Sequence, residues 1–156
     1  MNEYMKLAKK AAQNGMNKNE GGPFGAVITN EKGEIVSVGN NKVLKENDPT
    51  AHAEIVAIRI ACKKLNTYDL SKYVLYTSCE PCPMCLSAII WSNIKKVYYA
   101  NTKEDAEEIG FRDDYIYDFI KSNMKDKSIL ELNEMNRDEA IKVFERYMDS
   151  NDKIEY

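Results

Sequence analysis

The chain has 156 residues, which fits one domain because domains of soluble proteins usually contain roughly 100–200 residues. Hydrophobic residues make up 44% and charged residues 30%, a balance typical of globular proteins that excludes a disordered or fibrous class. No apolar run approaches the ~18 residues that a membrane span requires, and the N-terminal segment lacks the pattern of a signal peptide. We therefore expect a cytoplasmic protein with no membrane partner.

The charge is unevenly distributed along the chain. Residues 1–100 carry 13 basic and 9 acidic side chains, whereas residues 101–156 carry 9 basic and 16 acidic ones. Surfaces that bind nucleic acid are usually basic. The acidic last third of the chain therefore disfavours nucleic acid as a partner.

The first half of the chain predicts a helix, a strand hairpin and a second helix. Tyr4, Leu7 and Ala11 follow helical spacing. Two strand-like segments flank a turn that contains Gly33, which is typical of a hairpin. The second helix is apolar on nearly every side, which indicates that it is buried. The expected bounds are 24–29 and 35–38 for the strands and 50–65 for the second helix, with Thr50 as its N-cap.

The second half predicts two more strands and further helices. A continuous apolar run without alternation is typical of a strand that is covered on both faces of its sheet. The expected elements are a strand at 73–77, a helix at 83–91, a strand at 97–100, helical turns near 104–108 and 115–121, and a terminal helix that begins with an Asn136/Glu139 capping box. The alternation of strands and helices predicts an α/β sandwich.

Two short motifs carry the residues that suit metal chemistry. His52 and Glu54 form an H-x-E motif, and about thirty residues later Pro81, Cys82 and Cys85 form a P-C-x-x-C motif. Together they match the signature of zinc deaminases. A catalytic zinc site keeps three protein ligands and leaves a fourth position for water. His52, Cys82 and Cys85 provide three ligands of suitable type, and Glu54 can transfer protons beside them.

The spacing of the cysteines also allows a structural zinc site. Cys79 could act as a fourth ligand, which would close the site and leave no position for water. Because Cys79 lies where the strand predicted at 73–77 gives way to Glu80 and Pro81, we interpret it as part of the wall of the site. Cys62 is interpreted as a small buried apolar residue. Clustered thiols with two-residue gaps suit metal binding better than a disulfide framework.

The chain resembles the bacterial guanine deaminases of the cytidine deaminase superfamily over roughly residues 4–120. The resemblance lies in four segments: 21–28, 47–54, 76–85 and 108–114, the last of which distinguishes this family from the tRNA adenosine deaminases. It implies a three-layer α/β/α sandwich around a mixed, mostly five-stranded sheet. It also implies a homodimer, a single deaminase domain over residues 1–156, and an active-site lid in about residues 122–156.

The resemblance further implies a zinc cofactor and a hydrolytic reaction in which guanine becomes xanthine, with Glu54 as the proton carrier. The purine base would be bound by residues on several segments: Asn41, Phe24, Ala53, Trp91, Asp113 and Tyr156. The Asn41 amide offers both a donor and an acceptor to a purine edge. The aromatic rings of Phe24 and Trp91 could sandwich the base, although such rings equally often pack in a core.

Three other functions use the same motifs. A tRNA adenosine deaminase would share the zinc site but would also need phosphate contacts. A deaminase of a guanine analogue, such as guanosine or an aminotriazine, would differ only in the size of its pocket. A structural zinc module would bind metal through four side chains and would not need Glu54.

Overall fold

The computed structural model describes residues 2–156. The chain divides into two compact units, and the boundary along the sequence falls after Asp113. The first unit contains nine elements, in chain order: helix α1 (Glu3–Asn17), strands β1 (Gly25–Asn30) and β2 (Ile35–Asn40), helices α2 (Val43–Glu46) and α3 (Ala53–Leu65), strand β3 (Tyr73–Cys79), helix α4 (Pro83–Trp91), strand β4 (Lys96–Asn101) and helix α5 (Lys103–Glu108). The second unit contains helices α6 (Asp114–Lys121) and α7 (Arg137–Met148).

The four strands form one mixed sheet in the order β2-β1-β3-β4. Strand β1 pairs antiparallel with both β2 and β3, and β3 pairs parallel with β4. Strands β1 and β3 are therefore the two central strands. The carboxyl end of β3 leads directly into the segment that carries the predicted cysteines.

Two glycines on the first hairpin show that helices cover both faces of the sheet. A Cβ on Gly25 would lie 2.1 Å from the backbone oxygen of Ala8 in α1, and a Cβ on Gly39 would lie 2.5 Å from the backbone oxygen of Ala53 in α3. Gly39 pairs with Ala26, the neighbour of Gly25, so the two glycines face opposite sides of the pleated sheet. Helices α1 and α3 therefore form separate layers, which confirms the predicted α/β sandwich.

The core lies between the sheet and α3. Its buried side chains come from β1, α3, β3, α4 and the loops that join them: Ala26, Ile28, Ala53, Ala57, Ala61, Leu70, Leu75, Ile89 and Ile94. The small alanines of α3 let the helix approach the strands closely. This packing fixes the N-terminal end of α3, where the H-x-E motif is located.

Two expectations about the first unit are corrected. The residues described here form four strands and not five, because the chain after β4 enters α5 through a capping box made by Thr102 and Asp105. Thr50 does not cap the buried helix, which begins at Ala53 with His52 as its N-cap. The Thr50 hydroxyl instead donates to the Asp48 carboxylate at 2.7 Å.

The second unit also departs from one expectation. Asn136 precedes α7 in the left-handed conformation, with φ 55° and ψ 33°, and its side chain makes no capping hydrogen bond. A capping residue normally has extended backbone angles, so the predicted Asn136/Glu139 capping box is wrong. Glu139 instead forms an ion pair with Lys142 at 2.7 Å. Among residues 2–156, no helix combines the length and the apolar character that a bilayer span requires.

Candidate active site

His52 enters the site from the start of α3. It is the N-cap residue of that helix, with extended backbone angles of φ −66° and ψ 159°, and its side chain makes no capping bond. Its backbone oxygen accepts from the Val56 N–H at 2.9 Å, which fixes the first turn. The imidazole is therefore available to face other groups.

Cys82 repeats this arrangement at the start of α4. It is the N-cap residue with φ −65° and ψ 167°, its side chain makes no capping bond, and Pro83 begins the helix. Cys85 lies one turn further and is completely buried. Both sulfurs thus lie at a helix N-terminus, where the helix dipole favours the thiolate form.

The structure brings His52, Cys82 and Cys85 together in one group. Their ligand atoms all lie within 4.8 Å of one another, and the His52 Nδ1 is 3.5 Å from each sulfur. A tetrahedral zinc ion, with bonds of about 2.0 Å to nitrogen and about 2.3 Å to sulfur, separates such atoms by roughly 3.5 Å. The donor types and their spacing therefore fit zinc.

The electrostatics of the two cysteines also suit a metal site. Hydrogen bonding with Cys85 and with His52 lowers the pKa of Cys82, although its partial burial opposes this shift. The pKa of Cys85 is raised, chiefly by its neighbour Cys82 and by burial. Zinc binds cysteine as the thiolate, so metal binding would displace any thiol proton that the pair still carries.

Glu54 is a buried carboxylate at the edge of this group. Its side chain is 5% exposed, its Oε1 accepts from the Thr77 hydroxyl at 2.7 Å, and its Oε2 lies 3.5 Å from the Cys85 sulfur. The pKa of Glu54 is raised mainly by burial, and the hydrogen bond from the Thr77 hydroxyl opposes this shift. A carboxyl whose pKa moves towards neutrality is better suited to accept and return protons.

Cys79 lies outside the ligand group. It is the last residue of β3, and its sulfur donates to the Thr102 backbone oxygen at 3.4 Å. Burial raises its pKa to about 11, so it stays a neutral thiol. Cys62 lies near the end of α3 and packs against the core, but it is only partly buried and not fully buried as expected.

Asn41 follows β2 and is held in a fixed orientation. Its backbone N–H donates to the Phe24 oxygen at 3.0 Å, and its side-chain Oδ1 accepts from the Val43 N–H at 3.1 Å. The side chain is nearly buried, at 4% exposed. The next residue, Lys42, donates its N–H to the Ala51 oxygen at 2.9 Å, which connects the Asn41 loop to the residue before His52.

A network around Glu20 supports this loop. Its carboxylate accepts from the Asn40 amide at 2.9 Å and from the Lys45 ammonium at 2.6 Å. Its backbone oxygen also accepts from the N–H groups of Leu44 and Lys45. These bonds connect the loop after α1 to the segment that carries Asn41.

Phe24 packs against Phe111, which lies two residues before Asp113 in the chain. The Phe24 ring meets the Phe111 ring edge-on, with centroids 5.0 Å apart. Phe111 follows Gly110, whose φ of +95° lets the chain turn after α5. Asp113, two residues further, is partly buried at the end of the first unit.

The other three predicted contacts of the base lie on different parts of the chain. Ala53 is completely buried between His52 and Glu54. Trp91 ends α4 and is 66% exposed, about 9 Å along the helix axis from Cys85. Tyr156 is the last residue of the second unit, whose C-terminal segment is tied to α7 by a hydrogen bond from the Tyr147 hydroxyl to the Ile154 oxygen.

Thr77 is the contact of Glu54 that sequence reasoning missed. A signal was present, because Thr77 and Ser78 are polar residues in the otherwise apolar strand β3. Buried polar side chains nearly always have a hydrogen-bond partner. Ser78 accepts from the Gly25 N–H at 3.0 Å, and Thr77 donates to Glu54.

Comparison with known proteins agrees with this geometry. Residues 1–101 match the model of the cytidine and deoxycytidylate deaminase zinc-binding region. The chain therefore belongs to the cytidine and deoxycytidylate deaminase family, and its cofactor is zinc.

Individual relatives indicate which members of this family the chain is similar to. The chain is 51% identical over 126 residues to a guanine deaminase of Bacillus subtilis, which covers 81% of this chain and 80% of that protein. An X-ray structure of guanine deaminase from Bacillus subtilis superposes with a TM-score of 0.90 at 43% identity, covering 100% of this chain and 99% of that one. A tRNA-specific adenosine deaminase of Aquifex aeolicus is 44% identical over 97 residues, or 62% of this chain and 63% of that protein.

Proposed function

We propose that this enzyme converts guanine and water into xanthine and ammonia. The observation that carries the proposal is the group of one imidazole and two thiols beside a buried carboxylate that is not part of the group. The similarity to guanine deaminase extends over 81% of the chain in sequence and over its whole length in structure, which favours guanine as the substrate.

His52, Cys82 and Cys85 are the proposed zinc ligands. When bound, zinc supplies the Lewis acidity that makes water a nucleophile near neutral pH. Three protein ligands leave the fourth position open, as a catalytic zinc site requires. Cys79 lies outside the group of three, and its sulfur donates to the Thr102 backbone oxygen at 3.4 Å, so it is not placed to act as a ligand.

Glu54 is the proposed proton carrier. Replacing the C2 amino group of guanine by oxygen requires that protons leave the attacking water and reach the ring nitrogen N3 and the departing nitrogen. A single carboxylate beside the group can accept the first proton and return it. Its burial excludes bulk water, so the proton is kept within the site.

Asn41, Phe24 and Asp113 are the proposed contacts of the base in the first unit. The Asn41 Oδ1 is bound to the Val43 N–H, so its Nδ2 is turned to donate to an acceptor on the purine edge. The Phe24 ring provides an apolar surface braced by Phe111. Ala53 and Trp91 complete the proposed set, with Ala53 lining the floor between His52 and Glu54.

Substitution of Gly21 by Ala is expected to raise the KM for guanine. An added Cβ would lie 2.0 Å from the Asn41 Oδ1 and 2.8 Å from the Asn41 backbone oxygen, so the amide must move. We expect KM to rise about tenfold, because overpacking typically costs on the order of 1–3 kcal/mol. In steady-state kinetics, the double variant Gly21→Ala/Asn41→Ala should lose less than the sum of the two single losses, because Asn41→Ala removes the side-chain clash and leaves only the backbone one. Fully additive losses would contradict a role through the Asn41 amide.

Residues 122–156 are proposed to close the active site, with Tyr156 contacting the base, so that residues 1–156 act as one deaminase domain. Two bonds anchor the C-terminal segment to α7: Tyr147 hydroxyl to Ile154 oxygen, and Lys153 ammonium to Met148 oxygen at 2.9 Å. This anchoring supports a defined position for a residue that would otherwise be a free chain end.

Deletion of residues 154–156 is expected to lower kcat/KM for guanine about tenfold, because one aromatic contact and one hydrogen bond contribute on the order of 1–2 kcal/mol. Zinc content and melting temperature should stay close to wild type. The variant Tyr156→Phe retains the ring and should lose less activity than the deletion. Unchanged kinetics after the deletion would remove Tyr156 from the site.

A homodimer in the cytoplasm is the proposed state of the enzyme. Large hydrophobic side chains on α4 and on the edge strand β4 are exposed: Leu86, Ile90, Tyr98 and Tyr99. A second copy that covers them would remove apolar area from water. Light scattering during gel filtration should give about twice the 17.9 kDa chain mass.

The four free thiols suit a reducing compartment, which supports the proposed cytoplasmic location.

Deamination of adenosine in tRNA is the second candidate, supported by the 44% identity to the Aquifex aeolicus protein. The excess of acidic side chains after residue 100 disfavours it. The deciding experiment measures ammonia release from guanine, guanosine, adenine, cytidine and tRNA under one set of conditions. The proposal requires guanine to give the highest kcat/KM, with xanthine as product. Faster turnover of tRNA, with salt-sensitive binding, would overturn it.

A further inference from the structure

We infer that Thr77 is a positioning residue, which binds one carboxylate oxygen of Glu54 and leaves the other oxygen for proton transfer. The inference rests on the proposed function, because the orientation of Glu54 affects turnover only if Glu54 carries protons. One oxygen of the Glu54 carboxylate accepts a fixed hydrogen bond, and the other exchanges protons.

The two oxygens of Glu54 have different surroundings. Oε1 accepts from the Thr77 hydroxyl at 2.7 Å, and both side chains are buried, at 5% and 1% exposed. A hydroxyl bound to a carboxylate at this distance forms a strong, charge-assisted hydrogen bond. Oε2 instead lies 3.5 Å from the Cys85 sulfur, on the side of the proposed ligand group.

The two contacts also differ in strength. A thiol is a weak hydrogen-bond donor, so the 3.5 Å contact with the Cys85 sulfur holds Oε2 less firmly than the 2.7 Å bond from the Thr77 hydroxyl holds Oε1. Oε2 is therefore the oxygen that is placed to exchange protons with water and substrate.

The position of Thr77 makes it a rigid support. It lies on the central strand β3, where its backbone pairs with Ala26 on β1 and with Tyr99 on β4. Its β-branched side chain has few rotamers. A Glu side chain has three rotatable bonds, so without this donor the carboxylate can turn away from the productive geometry.

The experiment compares three variants by steady-state kinetics with guanine, zinc content and thermal unfolding. Thr77→Val replaces the hydroxyl by a methyl group of similar size, and Thr77→Ser keeps the hydroxyl. Thr29→Val makes the same change at an equally buried threonine on β1, at 1% exposed, and leaves the bond between Thr77 and Glu54 in place. These two controls separate loss of the hydroxyl from loss of packing.

We expect Thr77→Val to lower kcat about ten- to hundredfold, as for loss of a hydrogen bond to a charged group. KM should change less than about threefold, because the substrate contacts are intact. Zinc content should equal wild type, Thr77→Ser should recover most of kcat, and Thr29→Val should resemble wild type. If Thr77→Val does not fold, the comparison of Thr77→Ala with Thr77→Ser isolates the same hydroxyl.

The inference is overturned if the hydroxyl-free variants keep kcat within about twofold of wild type, since a positioning bond must alter the chemical step. It is equally overturned if Thr77→Ser loses as much kcat as Thr77→Val, or if Thr29→Val does. A wild-type enzyme that does not convert guanine would instead overturn the proposed function, so the two failures are distinguishable.

Discussion

Substitution of Glu54 by Gln is expected to lower kcat for guanine about 10²- to 10⁴-fold, the range that general acid–base groups typically contribute. The amide has nearly the same shape as the carboxylate and can still accept from the Thr77 hydroxyl, which binds Oε1 at 2.7 Å. It cannot carry a proton between water and the base. The loss should therefore fall on kcat, while KM and zinc content stay close to wild type.

The matched control for Glu54→Gln is Glu46→Gln. Glu46 ends α2, and its side chain is 44% exposed, so the same chemical change there should leave kcat unaffected. Zinc per chain and guanine turnover are measured on the same preparations. A Glu54→Gln enzyme with near-wild-type turnover would contradict the assignment of Glu54, and it would favour a structural zinc module.

Substitution of Cys82 by Ala is expected to remove zinc and activity together. Cys82 is one of the two proposed sulfur ligands, so its loss leaves only His52 and Cys85 to hold the metal. A ligand that binds only the folded state stabilises it by ~4 kcal/mol at a thousandfold excess over Kd. Added zinc should therefore raise the melting temperature of the wild type and not that of the variant.

Cys62→Ala is the matched control for Cys82→Ala. Cys62 lies outside the ligand group and packs against the core, so its substitution removes a thiol without touching the site. Zinc content by atomic absorption should stay at about one per chain for this control, as one catalytic zinc site requires. Zinc retention and turnover by Cys82→Ala would contradict the proposed ligand set.

Sequence patterns predicted the bounds of an element well where those bounds depend on neighbouring residues. Helix α4 has the predicted bounds, because Pro83 fits the first helical position and cannot lie in the helix interior. Thr50 illustrates the opposite case. Its hydroxyl can cap a helix or bind a nearby carboxylate, and only the folded loop decides in favour of Asp48. The fifth strand was expected from resemblance alone, and no strand-like segment of the sequence supported it.

The site shows the same contrast between features that short motifs predict and contacts that depend on the folded chain. The motifs identified His52, Cys82 and Cys85, and the structure places their ligand atoms together. Thr77 was not predicted as a partner of Glu54, because 23 residues separate them and the contact depends on how α3 packs over β3. Phe111 was likewise missed as a neighbour of Phe24. Contacts across layers depend on tertiary packing, which short-range spacing does not encode.

The most direct test of the zinc site is X-ray absorption spectroscopy on zinc-loaded enzyme that is turning over guanine. The zinc ion should have two sulfur ligands, one imidazole nitrogen and one further light donor that exchanges with solvent or a competitive inhibitor. Three sulfur ligands, which would bring Cys79 into the coordination sphere, would contradict this ligand set, because a closed site has no position at which water can be activated.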